Sequence, residues 1–146
     1  MQVIGIHAWH EKICWFLQDL HALAVACCKA TQRLHAAQVV HRDLRMGNIV
    51  QLAALSYMVI DLESAALITD EQLPNDFQNV LRTCSPDILE NGVFTPLSDM
   101  CLIGLLLEEA LLLPSASAAQ FIQKLARKEL SADQALHWLQ TRWKPP

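Results

Sequence analysis

Three oxygen-bearing side chains fall within a short stretch of this chain: Asp43, Asn48 five residues later, and Asp61 eighteen residues after Asp43. A carboxylate can orient a hydroxyl and take its proton, and hard oxygen donors suit magnesium held against phosphates. Those are the few protein groups that phosphoryl transfer to a hydroxyl requires. Asp43 and Asn48 lie in the polar run His41-Arg42-Asp43-Leu44-Arg45-Met46-Gly47-Asn48, which reads as a loop. Asp61 follows two short apolar runs, Ile49 to Leu52 and Tyr57 to Ile60, whose β-branched residues suit two small strands joined by a turn. One loop and one hairpin therefore separate the carboxylates, which leaves room for both to converge on one phosphate.

Other chemistries find less support. Of the five cysteines (Cys14, Cys27, Cys28, Cys84 and Cys101), four sit in apolar stretches, and no C-x-x-C pair occurs. That argues against a disulfide framework or a structural zinc site and for a reducing compartment. His7 and His10 are close enough for a local metal pair, but no further ligand stands near them. The net charge of -4 and the short basic clusters His41-Arg42 and Arg127-Lys128 give no reason to expect nucleic acid. The most hydrophobic stretch, Met100 to Leu113, is interrupted by Glu108 and Glu109. It falls short of the ~20 residues that span a bilayer and reads as a buried helix, so no membrane partner is expected. Met1-Gln2-Val3-Ile4-Gly5 offers no basic n-region, so the expected location is cytoplasmic.

With 146 residues, 53% apolar and 18% charged, the chain suits one globular domain over 1–146. A helix is predicted from Ile13 to about His35, because Leu20, Leu23, Ala24, Cys27, Thr31 and Leu34 recur at steps of three and four. Val39-Val40 begins a short extended segment. Asp61 to about Pro86 has little periodicity and reads as irregular. Ser98 is a candidate cap for a helix running to Leu113, which Pro114 ends. A further helix starts near Ser117, and Ser131 caps a last one through about Thr141. Trp9, Trp15, Trp138 and Trp143 are expected in core or edge packing.

The run from His41 to Asn48 matches H-R-D-L-x-x-x-N at every fixed position, and the chain thereby resembles the protein kinase family. The resemblance extends from Leu17 to Leu139. Leu34-His35 with Val39-Val40 looks like the approach to the kinase catalytic loop. Asp61-Leu62-Glu63 stands where the family has D-F-G, Ser85-Pro86-Asp87 where it has A-P-E, and Ser98-Asp99-Met100 at the start of its central buried helix. The implied fold is mainly α: a kinase-like C-terminal lobe with a small β-hairpin beside the catalytic loop. The implied activity is transfer of the ATP γ-phosphoryl group to a protein hydroxyl. Asp43 would be the base, Arg45 would stand where many members have lysine, and Asn48 and Asp61 would hold Mg2+. His41, Arg42 and Asp99 would be structural anchors, with Asp99 bonded to the backbone near His41-Arg42. Thr69, Thr83 and Ser85 fall where kinases carry regulatory phosphosites.

The departures carry as much information. The 40 residues before His41 contain no glycine-rich phosphate loop and no V-A-I-K lysine, so the chain reads as a C-terminal lobe without the nucleotide-gripping half. Little turnover is expected from it alone, and its partners are a protein substrate or a protein that supplies the missing lobe. Glu63 replaces the glycine of D-F-G, and Asp87 replaces the glutamate of A-P-E, with Arg127 or Lys128 as its candidate partner. A helix and a longer connection that the family places after Leu113 are missing. Two alternatives stay open: a non-catalytic pseudokinase or interaction module, and a small-molecule phosphotransferase of the same superfold, which Gly47-Asn48 and an acidic residue near Glu63 resemble.

Overall fold

The computed structural model describes residues 17–68, 89–90, 93–110 and 115–143. Helix α1 (Leu17–Ala36) turns its three–four repeat inward, burying Leu20, Leu23, Ala24, Cys27, Cys28 and Thr31. Leu34 is only half-buried. Buried Thr31 satisfies its hydroxyl on the Cys27 carbonyl one turn back, at 2.5 Å. Burial pushes the Cys27 thiol up to about 12 and the Cys28 thiol well above its ordinary value, so both pack as small apolar groups. Gln38, in the left-handed region at φ 60°, turns the chain out of α1 and into β1 (Val39–Val40).

Beyond the loop that follows β1, one turn of 3₁₀ helix over Met46–Asn48 leads into β2 (Ile49–Ala53). Its hairpin partner is β3 (Ser56–Val59), in the antiparallel register Ile49↔Val59 and Gln51↔Tyr57. Tyr57 ties this hairpin to α1. Its hydroxyl donates to Asp19 at 3.4 Å and accepts from Gln51 at 3.3 Å. Burial, and then the charge of Asp19, raise its pKa. A second pairing lies in the segment expected to be irregular: β4 (Ala66–Leu67) runs antiparallel to β1, with Val39 opposite Leu67 and Val40 opposite Ala66. Two residues carry no readable alternation, and the partner strand supplies what local sequence does not.

Helix α2 (Pro96–Ala110) forms the centre of the core and is buried on nearly every side from Ser98 to Leu107. It starts two residues before Ser98, which is therefore not its cap. Pro96 suits a first helical position, where no N–H is needed and φ is already set. Ser98 instead reaches back, its Oγ accepting the Thr95 N–H at 3.0 Å, while Thr95 Oγ1 donates to Glu90 at 2.7 Å. Residues 111–114 lie outside the described part, so the expected end at Leu113 and Pro114 does too. Helix α3 (Ala116–Ala126) starts beside Ser117, as expected, and is capped by Ser115. Ser131 caps α4 (Ala132–Thr141) in a reciprocal pair with Gln134. Trp143 is buried edge-on to Phe121 and His21, with centroids at 5.6 and 5.4 Å. Trp138 is also buried, beneath the cations of Lys124 and Arg142 at 5.9 and 5.0 Å. Trp9 and Trp15 lie outside the described residues. No described helix is long and apolar enough to cross a membrane.

Helices α2 and α3 approach so closely at Gly104 that a Cβ there would sit 2.8 Å from the Ala126 nitrogen and 3.0 Å from the Leu125 Cβ. Backbone cannot swing aside as a side-chain tip can. Gly104→Ala therefore forces the helices apart, against the ~1 kcal/mol that alanine would otherwise contribute in a helix interior. The expected result is a net destabilisation of about 1–3 kcal/mol in denaturant unfolding; an unchanged or raised midpoint contradicts this packing.

Candidate functional site

A polar loop inside a domain must find partners for its main chain. The His41–Asn48 loop finds them on Asp99, in the first turn of α2 and fully buried. Asp99 Oδ2 accepts the His41 N–H at 2.8 Å, and Oδ1 accepts the Arg42 N–H at 2.9 Å. His35, near the end of α1, adds a third contact, Nε2 to Oδ2 at 2.9 Å. Two helices and the loop thus meet on one carboxylate. Arg42 stands in the left-handed region at φ 70°, a costly place for a residue with a Cβ, and the Asp99 contact holds it there. Its Nε donates to the Ser64 carbonyl at 2.7 Å, which joins the loop to the segment after Asp61.

His41 is buried and uses both ring nitrogens on the backbone. Nδ1 accepts the Asp43 N–H at 3.3 Å, which leaves Nε2 to carry the proton and donate to the Ile60 carbonyl at 3.2 Å. Leu44 points into the core. Between these two anchors, Asp43 is presented at the turn of the loop, half-buried.

The Asp43 carboxylate is bracketed. Asn48 Nδ2 donates to its Oδ2 at 2.7 Å and to its main-chain carbonyl at 2.8 Å. Arg45 Nε lies 3.0 Å from Oδ1 and 3.1 Å from Oδ2. Because both Asn48 donors go to Asp43, its carbonyl oxygen is the atom left for a cation. The hairpin then brings Asp61 alongside: Ile49 pairs with Val59, and the Ile60 N–H donates to the Asn48 carbonyl at 2.9 Å. Asp61 is exposed and left-handed at φ 65°, with Oδ1 accepting the Glu63 N–H at 3.2 Å. The unusual backbone angle therefore falls on Asp61 and not on Glu63, so glutamate carries no conformational cost where the kinase motif has glycine.

Magnesium fits these groups in one way. Among the described residues, no three His, Cys, Asp or Glu side chains gather to cage a metal ion. One exposed carboxylate and one carboxamide oxygen do suit magnesium shared with phosphate oxygens and water. Thr69, Thr83, Ser85 and Asp87 lie outside the described residues. Lys128, a candidate partner of Asp87, donates to the Leu89 carbonyl at 3.3 Å. The third contact on Asp99, from His35, and the Ser64 carbonyl under Arg42 were not assigned roles from sequence. The first had a faint signal in Leu34-His35 just before the loop; a main-chain acceptor such as the second has none. No protein-family model matches the chain.

Removing the Asp99 carboxylate would orphan two buried main-chain donors. Asp99→Ala is expected to cost about 1–3 kcal/mol of stability and to speed amide hydrogen exchange at His41 and Arg42 more than elsewhere. Unaltered melting, with both amides still protected, contradicts the clamp.

Proposed function

We propose that this chain is a kinase-like phosphotransferase lobe in which Asp43 orients an acceptor hydroxyl and takes its proton. The observation that carries the reading is the joint placement of Asp43, Asn48 and Asp61. Asp99 fixes the loop backbone behind Asp43, Asn48 bonds its carboxylate, and Ile60 bonds both Asn48 and His41. Asn48 and Asp61 would hold Mg2+, which when bound neutralises charge on the phosphates of ATP. Asn48 and Arg45 keep the Asp43 carboxylate turned to one orientation, so the acceptor meets an aligned base and not a rotating one. The acceptor in this reading is a protein hydroxyl.

A second reading, a non-catalytic module that joins a partner protein, draws on a different feature. A groove of about 530 Å³ runs between α1 and β3. Ala22, Val25 and Ala26 line one side, and exposed Leu55, Met58 and Leu62 the other. That apolar surface beside His41 is a seat for a partner, including one that completes the nucleotide site.

Calorimetric titration of residues 1–146 with Mg-ATP, and phosphate transfer to a generic protein substrate, separate the readings. Weak binding and little turnover are expected of the chain alone, since most of the rate gain in phosphoryl transfer comes from positioning by both halves of a clamp. Binding should weaken further in Asp61→Ala and persist in Asp43→Asn. Mg-ATP binding that ignores Asp61→Ala, or no binding at any concentration, removes the phosphotransferase reading and leaves the interaction module.

A further inference from the structure

We propose that Gly47 is a positioning residue for Asp43: its missing side chain leaves the space in which the Arg45 guanidinium lies, and so keeps that guanidinium on the Asp43 carboxylate. The placement stands on geometry alone. Its consequence for catalysis rests on the reading of Asp43 as a base.

Arg45 is extended, at φ -142° and ψ 163°, and the 3₁₀ turn of Met46–Asn48 then curls the chain beneath its side chain. A Cβ on Gly47 would lie 3.0 Å from Arg45 Nη1 and 3.7 Å from Cζ, and among the described residues it would meet no other atom within 4 Å outside its chain neighbours and its own turn. Gly47 is not in the left-handed region, so its backbone would accept an ordinary residue without strain. The turn therefore does not call for glycine. What glycine provides is room for one guanidinium.

That room decides how Asp43 is held. Oδ2 has two donors, Asn48 Nδ2 and Arg45 Nε, whereas Oδ1 has Arg45 Nε alone among the described residues. With Arg45 in place, both oxygens are pinned. With Arg45 displaced, Oδ1 loses its donor among the described residues and the carboxylate is held through Oδ2 by Asn48 alone, which widens its swing about the Cβ–Cγ bond. The Arg45 side chain is 58% exposed, so its pairing with Asp43 is screened and modest in strength. A methyl group 3.0 Å from its outer nitrogen makes the guanidinium give by a few tenths of an ångström, which lengthens and tilts the weak Nε–H contact to Asp43.

The test is nitrogen NMR on the whole chain, reading the Arg45 Nε–H and the Asn48 Nδ2 resonances in wild type, Gly47→Ala, Arg45→Gln and the double variant. In Gly47→Ala, solvent exchange of the Arg45 Nε–H should rise several-fold and the Asn48 resonances should shift, with the melting temperature unchanged or slightly raised. In the Arg45→Gln background, adding Gly47→Ala should leave the Asn48 resonances where they were. An Arg45 Nε–H that stays equally protected in Gly47→Ala overturns the proposal. So does a general loss of stability in Gly47→Ala, which would mean that the turn itself needs the glycine. None of these readouts depends on nucleotide, so a failed Mg-ATP titration would remove the catalytic reading and leave this result standing.

Discussion

One carboxylate with no exposure to water, that of Asp99, is the constraint on which the candidate site depends. A buried charged group is expensive unless hydrogen bonds satisfy it, and three groups from two other segments do so here: His35 from α1, and the main-chain N–H groups of His41 and Arg42. The same contacts work in the other direction. They hold Arg42 in a backbone region that costs on the order of 1–3 kcal/mol for such a residue, and they fix where the loop must pass over the start of α2. Asp99 can be placed so well because α2 is buried almost all round, with α3 pressed against it at Gly104. Core packing thus sets the position of the first turn, and the first turn sets the position of the loop.

From that point outward, order decreases toward the solvent. His41 and Asn48 are buried and bonded on more than one side, Asp43 is half-buried and bracketed, and Asp61 is exposed and, among the described residues, tied only to its own turn. Of the left-handed residues near the site, Arg42 directly precedes Asp43, and Asp61 is itself one of the groups proposed for chemistry. Backbone strain of this type persists only where surrounding bonds over-determine it. For Arg42 those bonds are Asp99 and Ser64. For Asp61 the hairpin fixes the preceding residue, through Ile60 to Asn48 and His41. In the proposed reading, a held Asp43 beside a more open Asp61 would suit a site that orients a hydroxyl yet admits a metal and phosphates.

Much of this was legible in the chain because burial leaves periodic marks. Leu20, Leu23, Ala24 and Cys27 marked the inner face of α1, the run from Met100 to Leu113 marked the buried helix, and Ser131 marked the start of α4. Asp99 was expected to meet the backbone at His41-Arg42 and does, through two short bonds. The misses share a cause: each depends on a partner strand, a main-chain atom or a local backbone turn that residue type alone does not specify. The pairing of β1 with β4 rests on two residues per strand. The start of α2 was moved from Ser98 because Pro96 and Thr95 together outweigh a serine two residues on. The left-handed backbone falls on Asp61 and not on Glu63, which replaces the motif's glycine, since local sequence does not say which residue absorbs the turn. The contact between Gly47 and Arg45 exists only once the 3₁₀ turn is formed.

In the proposed site, Asn48 and Asp61 would offer oxygens to a metal bound with phosphates, next to an Asp43 already aligned. Paramagnetic broadening tests it directly, with Mn2+ and ATP standing in for the magnesium complex and the backbone and side-chain amides of the chain as reporters. The account predicts that broadening appears first and strongest at Asn48, Asp61 and Glu63, spreads to Asp43 and Arg45, and is lost in Asp61→Ala. Broadening centred elsewhere on the fold, or the same pattern in Asp61→Ala as in wild type, would contradict it.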